Sequence, residues 1–368
     1  MREVPAFESL DCEGTVLGPG RVNAHTHVYS ALVPLGMPAP VPPARNFAEI
    51  LERVWWKLDR AIDAAALRAC ARLSIADSLL CGTTAFLDHH ESPGFIEGSL
   101  DVLADACEEL GIRAVLCYGA TERNFGREEA QRGLAECARF IRENRRPLVR
   151  GVIGLHASFT VSDETIREAG DLCRALDTVL HVHVAEDEMD LWDALRRGYE
   201  GPLERLRRLK ALPPGSILAH GVHLGPQEVR LAQDLGLWIV QNPRSNRGNQ
   251  VGYPAALHWS ELVSLGTDGY PPDLFAERDA LLEEARAHRE DVTLAAHRAE
   301  TGNRLIAERF GMPAPDACAF DGRRVRHVVV GGKLLVRDGE LLTGNREEIL
   351  EDARRQAPIL WERMRSLA

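Results

Sequence analysis

The chain has 368 residues, of which 45% are hydrophobic and 27% charged, and its formal net charge is −11. That balance is too apolar for a disordered chain and ordinary for a large globular protein. It contains no run of 18 apolar residues, so no transmembrane helix is expected, and the net acidity weighs lightly against nucleic acid as the main partner. The N-terminal stretch carries acids and lacks an apolar segment, so it does not read as a signal peptide, and a cytoplasmic enzyme is expected. Eight cysteines form no CxxC pair and read as buried free thiols.

Short apolar runs alternate with amphipathic stretches. In chain order, strands are expected within 16–27 and at 83–88, 113–118, 149–155, 179–183, 216–219, 238–241 and 263–267. Helices are expected at 63–80, 99–110, 127–144, 163–176, 203–210 and 227–235, with Asp163 and Glu164 resembling an N-cap and first turn. Near-continuous apolar strands separated by helices imply a parallel sheet covered by helices. Eight such units predict an α/β fold closed as a (β/α)8 TIM-type barrel, with an open doubly wound sheet as the alternative.

Two segments depart from a bare barrel. Residues 33–46 are proline-rich and show no periodicity, which marks a lid or binding loop. Residues 326–330 and 333–337 form strand-like runs around Gly331 and Gly332, a hairpin expected to pair with the N-terminal residues, and 347–367 reads as a helix. The expected division is 1–20 plus 318–345 as a small β unit, 21–317 as the barrel and 346–368 as a terminal helix.

The histidines carry the chemistry. In Asn23-Ala24-His25-Thr26-His27, His25 and His27 sit two residues apart on a strand and face the same side. Alone, this pair is a weak signal for a metal. His183 and Glu186 follow another apolar run, His220 and His223 a third, and Asp268 closes the last. Metal-capable side chains thus recur at strand carboxyl ends, where barrel active sites are built.

Together, PGRVNAHTH, HVHVAEDE, AHGVHL, NPRSN and GTDG resemble the signature segments of the amidohydrolase superfamily, in order, over residues 14 to 340. The resemblance is strongest to the aminohydrolase branch that holds S-adenosylhomocysteine/methylthioadenosine deaminases, guanine deaminases and triazine hydrolases. Within it, NFAEILERVWWKLDRAID and FLDHHESPGFIEGSLD most resemble the SsnA-like aminohydrolases. Such proteins begin with a longer β-rich segment, whereas only about twenty residues precede His25 here, so the β unit is expected to be a curtailed sandwich.

The resemblance implies one divalent metal per subunit, zinc or alternatively iron, held by His25, His27, His183 and Asp268. Such a metal activates water near neutral pH. A two-metal design in the same superfamily uses a carbamylated lysine after the fourth strand. That strand ends Gly154-Leu155-His156, and none of Lys57, Lys210 and Lys333 ends a strand, so a single metal is expected. Glu186 is implied as the proton shuttle, His220 as the hydrogen-bond partner of the attacking hydroxide and oxyanion, and Asp268 as both ligand and proton acceptor.

Further substrate contacts are expected from His156, from Asp59 where relatives place a glutamate, from His223, and from one of His89 and His90, with His90 taken as the contact. His181 reads as a barrel-core residue, Trp55 and Trp56 as partly core with stacking of one of them on a planar substrate as the alternative, and Asn242 and Ser245 as loop-fixing residues. The expected partner is a small heterocyclic substrate, with a homodimer as the assembly left open.

Other chemistries lack their motifs. No PCxxC accompanies a deaminase HxE, no GxSxG elbow is present, and no GxxxxGK[ST] phosphate loop occurs. Three functions remain: deamination of an amino-substituted heterocycle, hydrolysis of another C–N or a C–Cl bond at the same site, or a non-catalytic metal-binding barrel.

Overall fold

The computed structural model describes residues 10–312 and 316–367. The first nine residues of the N-terminal segment, including most of the stretch read for a signal peptide, lie outside the described residues. So do residues 313–315 and Ala368.

Eight parallel staves form the barrel. They are β2 (Arg21–Thr26), β3 (Thr83–His90), β4 (Arg113–Ala120), β5 with β6 (Val149–Gly151 and Ile153–Ala157), β7 (Leu180–Val184), β8 (Ile217–His220), β9 (Trp238–Gln241) and β10 (Val263–Leu265). A short strand before them, β1 (Val16–Pro19), belongs to a second sheet. β3 and β4 are buried along all eight of their residues, because one face fills the barrel and the other lies under helices. Gly154 in β6 is required by close approach: a Cβ there would stand 2.3 Å from the Tyr118 carbonyl oxygen.

The last stave is short, and closure depends on the turn beyond it. Thr26 bridges Asp268, and the main-chain N–H groups of Thr267 and Asp268 both donate to the His25 carbonyl at 2.9 and 3.0 Å. Asn23 adds a side-chain clasp. Its Nδ2 donates to Thr267 Oγ1 at 2.7 Å and its Oδ1 accepts from the Thr267 N–H at 3.0 Å. The seam between first and last strand is therefore sealed beside the residues that carry the candidate chemistry.

The helices Ala64–Leu80, Ser99–Leu110, Arg127–Glu143 and Asp163–Ala175 cover the barrel close to their expected positions. Ser162, not Asp163, caps the last of these by accepting the Thr165 N–H, which moves Asp163 into the first turn. Residues 33–46 open with one 3-10 turn, Val33–Leu35, and then run irregularly to Asn46, which caps the helix Phe47–Ile50.

The second sheet is antiparallel in the order β1-β11-β12-β13-β14, where β11 is Ala317–Asp321, β12 Arg324–Val330, β13 Lys333–Arg337 and β14 Glu340–Leu341. The expected hairpin is β12–β13, but it reaches the N-terminal strand only through β11, which pairs with both β1 and β12. β11 carries two fully buried residues, Cys318 and Ala319, too few for a periodic signal. The final helix, Arg346–Ser366, packs on Ala64–Leu80.

Candidate metal centre and active site

Strand alternation turns His25 of β2 and His27, the residue just past it, into the barrel mouth, β7 adds His183, and the turn after β10 adds Asp268. His27 Nε2 lies 3.1 Å from His183 Nε2 and 2.9 Å from Asp268 Oδ1, and His25 Nε2 lies 3.4 Å from that same oxygen. All four residues bring one ligand atom within 4.8 Å of the others. Ligands held about 2.0–2.2 Å from one tetrahedral ion stand about 3.3 Å apart, so the set is close to that geometry.

The outer nitrogens fix the inner ones. His27 Nδ1 donates to the His89 carbonyl and His183 Nδ1 to the His156 carbonyl, each at 2.6 Å. Both rings therefore turn Nε2 inward. His25 Nδ1 meets His181 Nε2 at 2.9 Å, and His25 Nε2 is buried with no hydrogen-bond partner. A buried polar atom left in this state is costly unless something at the centre accepts its lone pair. Burial holds His25 neutral by lowering its pKa to about 3. At His27 burial also opposes charge, but Glu91 and Asp268 outweigh it and raise the pKa to about 10. A proton thus stands where a cation would displace it. The residues present fit a divalent metal ion.

Three strand ends share an uncommon backbone. Ala185, His220 and Asp268 have φ of 51°, 75° and 52°, a left-handed conformation that costs residues with a Cβ. These twists aim Glu186, His220 and Asp268 across the mouth. The Ser245 hydroxyl donates to Asp268 Oδ2, leaving Oδ1 to the histidines. His220 Nδ1 donates to Asn246 Oδ1 at 2.9 Å, while its Nε2 is buried without a hydrogen-bond partner, 3.6 Å from Glu186 Oε2. Burial pushes the Glu186 carboxyl up to about 7, against the pull of His220 and with help from Asp268. Such a group can take up and release a proton near neutrality.

A cleft open to solvent lies over this centre. Phe47, Leu51, Trp55, Trp56 and Phe159 form its apolar walls. Glu91, Glu186, Asp187, Asp190 and Asp268 make it acidic, and no lysine or arginine is among its lining residues.

The remaining expected contacts divide. His156 lines the cleft, its ring 5.4 Å from that of His183 and its Nδ1 3.0 Å from Thr160 Oγ1. His181 is fully buried one pleat below His183. His89 is the inward member of its pair, its ring 4.5 Å from His183. The assignment of His90 is corrected: its neighbour takes the barrel face, so His90 turns toward Tyr29, Tyr118 and the Ser92 hydroxyl at 2.7 Å.

Asp59 is also corrected. It lies buried outside the cleft wall, bonded to Arg123 at 2.7 Å, and the Arg123 guanidinium rests 4.8 Å from the Trp56 ring. His223 follows β8 in a loop whose N–H donates to the Ala185 carbonyl, and its side chain forms no part of the cleft wall.

Some lining residues escaped the sequence reading. Glu91 is 3% exposed, accepts the Tyr29 hydroxyl at 2.9 Å and stands 3.8 Å from His27 Nδ1. Its signal was available, because an acid directly after two histidines at a strand end fits the rule that located Glu186. Asn246 and Asn249, which hold His220 and Glu186, follow the NPRS turn, while Trp55 and Trp56 pack on core residues and also line the cleft.

Comparison with known proteins places this geometry. The model of the Amidohydrolase family matches residues 16–316. A 5'-deoxyadenosine deaminase of Methanopyrus kandleri is 28% identical over 383 residues, covering 93% of this chain and 86% of the relative. An 8-oxoguanine deaminase of Pseudomonas aeruginosa is 31% identical over 284 residues, covering 72% of this chain and 62% of the relative.

Among solved structures, an adenosine deaminase from Xanthomonas campestris with bound zinc superposes with a TM-score of 0.82 at 23% identity, covering 96% of this chain and 87% of the other. An atrazine chlorohydrolase from Arthrobacter aurescens complexed with zinc gives 0.77 at 20%, covering 94% and 89%. These likenesses carry the barrel fold, and the family match spans every stave and the whole donor set: the chain belongs to the amidohydrolase family.

Proposed function

We propose that the chain is a deaminase holding one zinc ion per subunit, which replaces an exocyclic amine of a nitrogen heterocycle by oxygen and releases ammonia. The observation that carries the reading is the facing of two arrays: the inward nitrogens of His25, His27 and His183 with Asp268, and opposite them Glu186 at 3.6 Å from His220. Iron would suit the same donors. A divalent cation held there supplies Lewis acidity and makes water a competent nucleophile near pH 7.

The chain's own groups do the rest. Glu186, close to neutrality in its pKa, takes a proton and presents it to a ring nitrogen. His220 carries its proton on Nδ1, so its Nε2 accepts from the attacking water and becomes a donor to the developing oxyanion only after gaining a proton. Asp268 Oδ1 receives the proton that leaves with the amine. Trp55, Trp56 and Phe159 offer faces for a planar ring, and His156 a polar contact. Acidic walls without lysine or arginine favour a neutral or cationic ring over a phosphorylated or carboxylated one.

Among the described residues no helix is long and apolar enough to cross a membrane. A cytoplasmic location and a homodimer remain part of the proposal, with residues 21–317 as the catalytic unit. The test is ammonia release by zinc-loaded protein from aminated purines, pterins, pyrimidines, triazines and adenosyl thioethers. Ammonia with the matching oxo product supports deamination. Chloride or alkylamine release without ammonia would select the other hydrolysis, and inertness toward the whole panel with zinc bound would leave a non-catalytic barrel.

A further inference from the structure

A second cavity, of about 370 Å³, adjoins the catalytic cleft. It lies between the segment after β2, the helix Ala64–Leu80 and the turn after β10. His27, Trp55 and Gly269 are walls of both spaces. The partition is thin. A Cβ on Gly269 would stand 3.2 Å from the Trp55 ring, so the missing side chain is what lets the indole edge close the gap. Trp55 ends a π-helical turn, Leu51–Trp55, a geometry that recurs at functional sites.

The far walls are apolar: Val33, Pro34, Met37, Leu73, Pro271 and Pro272. Of the cavity's polar lining groups besides His27, Thr26 donates to the Asp268 carbonyl at 3.2 Å, Ser30 donates to the carbonyls of His27 and Gly269 at 2.7 and 2.8 Å, and Asp77 pairs with Arg346 at 3.2 Å, which leaves the Ser74 and Tyr270 hydroxyls. Two hydroxyls do not neutralise an ionic ligand, whereas the apolar walls regain lost dispersion contacts from a hydrocarbon group. The cavity's wall at His27, one of the candidate metal donors, places it beside the reacting centre and decides which group that is.

We propose that this cavity is a subsite for an apolar alkyl or aryl substituent carried by the substrate ring, with Trp55 and Gly269 as the gate between ring and substituent. The inference rests on the cleft being the substrate site, as set out above. It narrows the substrate class to amino-heterocycles bearing a hydrocarbon arm.

The test uses 1-methyl-, 1-butyl- and 1-hexylimidazole, titrated by calorimetry into zinc-loaded and metal-stripped protein. Affinity should rise about fourfold per added methylene. Ser74→Phe and Val33→Phe, each projecting a ring into the second cavity, should flatten the series while leaving 1-methylimidazole unchanged. In crystals soaked with 1-(6-bromohexyl)imidazole, the bromine should lie between Met37 and Leu73. A flat series in the unaltered protein, a slope untouched by both substitutions, or bromine outside the cavity would each overturn the subsite. Failure of 1-methylimidazole to perturb the visible spectrum of cobalt-loaded protein counts against the metal centre instead, because the length series still reports on the cavity.

Discussion

Asn246 receives the Nδ1–H of His220 at 2.9 Å and thereby decides what the opposite nitrogen can do. With that proton fixed, Nε2 offers a lone pair toward the cleft, 3.6 Å from Glu186. Replacing Asn246 by Leu removes the acceptor and frees the ring to exchange tautomers. Outer-shell changes of this kind typically cost about 10- to 100-fold. We expect turnover to fall by that amount with metal content retained, as checked by kinetics alongside elemental analysis. Equal loss of metal and activity would show that Asn246 supports the donor set instead.

The four inward donors should hold about one zinc or iron per subunit. His183→Ala removes a donor whose ring is already locked by the His156 carbonyl, so most of the metal should go with it. Two tightly bound metals per subunit by elemental analysis would overturn the single-ion assignment.

Glu186→Gln keeps the shape and the contact with Asn249 but cannot carry a proton. Turnover should fall at least about 100-fold with metal content unchanged. Activity within a few-fold of the original would remove Glu186 from the proton path.

Much of this site was legible because strand geometry is periodic. The two-residue spacing of His25 and His27 places both on one face, strand ends mark the segments that carry His183, Glu186, His220 and Asp268, and the family resemblance singles out these four within them. What stayed hidden depends on partners distant in sequence. Asp59 looked like a cleft carboxylate, yet its fate is set by Arg123, 64 positions away. Whether His89 or His90 faces inward depends on the register of β3 against β4, which the sequence does not print. β11 escaped because its buried run is two residues long, although it joins β1 to the hairpin.

Arg205 links stability to the cleft. It is fully buried, donates to the carbonyls of Ser158 and Val161, and pairs with Asp163 at 2.9 Å and Asp193 at 3.5 Å. The segment it anchors carries Phe159, a wall of the cleft. Losing the guanidinium strands the Ser158 and Val161 carbonyls, at about 1–3 kcal/mol for a buried group left unpaired, while Asp163 keeps Tyr199 and Asp193 keeps Arg197. Arg205→Met should therefore lower stability by that order in urea unfolding and raise KM more than it lowers kcat. A loss under about 0.5 kcal/mol would mean that water reaches the abandoned carbonyls.

The last prediction concerns residues 33–46. Their first turn builds the outer wall of the second cavity through Val33, Pro34 and Met37. Further on, the Arg53 guanidinium donates to the carbonyls of Pro42 and Pro43 at 3.2 and 2.9 Å, tying the loop to the π-helical turn that bears Trp55. Prolines at 34, 38, 40, 42 and 43 restrict the chain between these anchors, so the wall is held at little further entropic cost. Deleting residues 37–42 should leave metal content and melting temperature nearly unaltered, because the segment contributes no donor and few core contacts. It should raise KM for substrates with a hydrocarbon arm and spare those without one. Arg53→Ala, which cuts the tie together with an ion pair to Glu49 at 3.2 Å, should act in the same direction with smaller effect. Unchanged kinetics in both variants would reduce the loop to a spacer between β2 and the helix at Phe47.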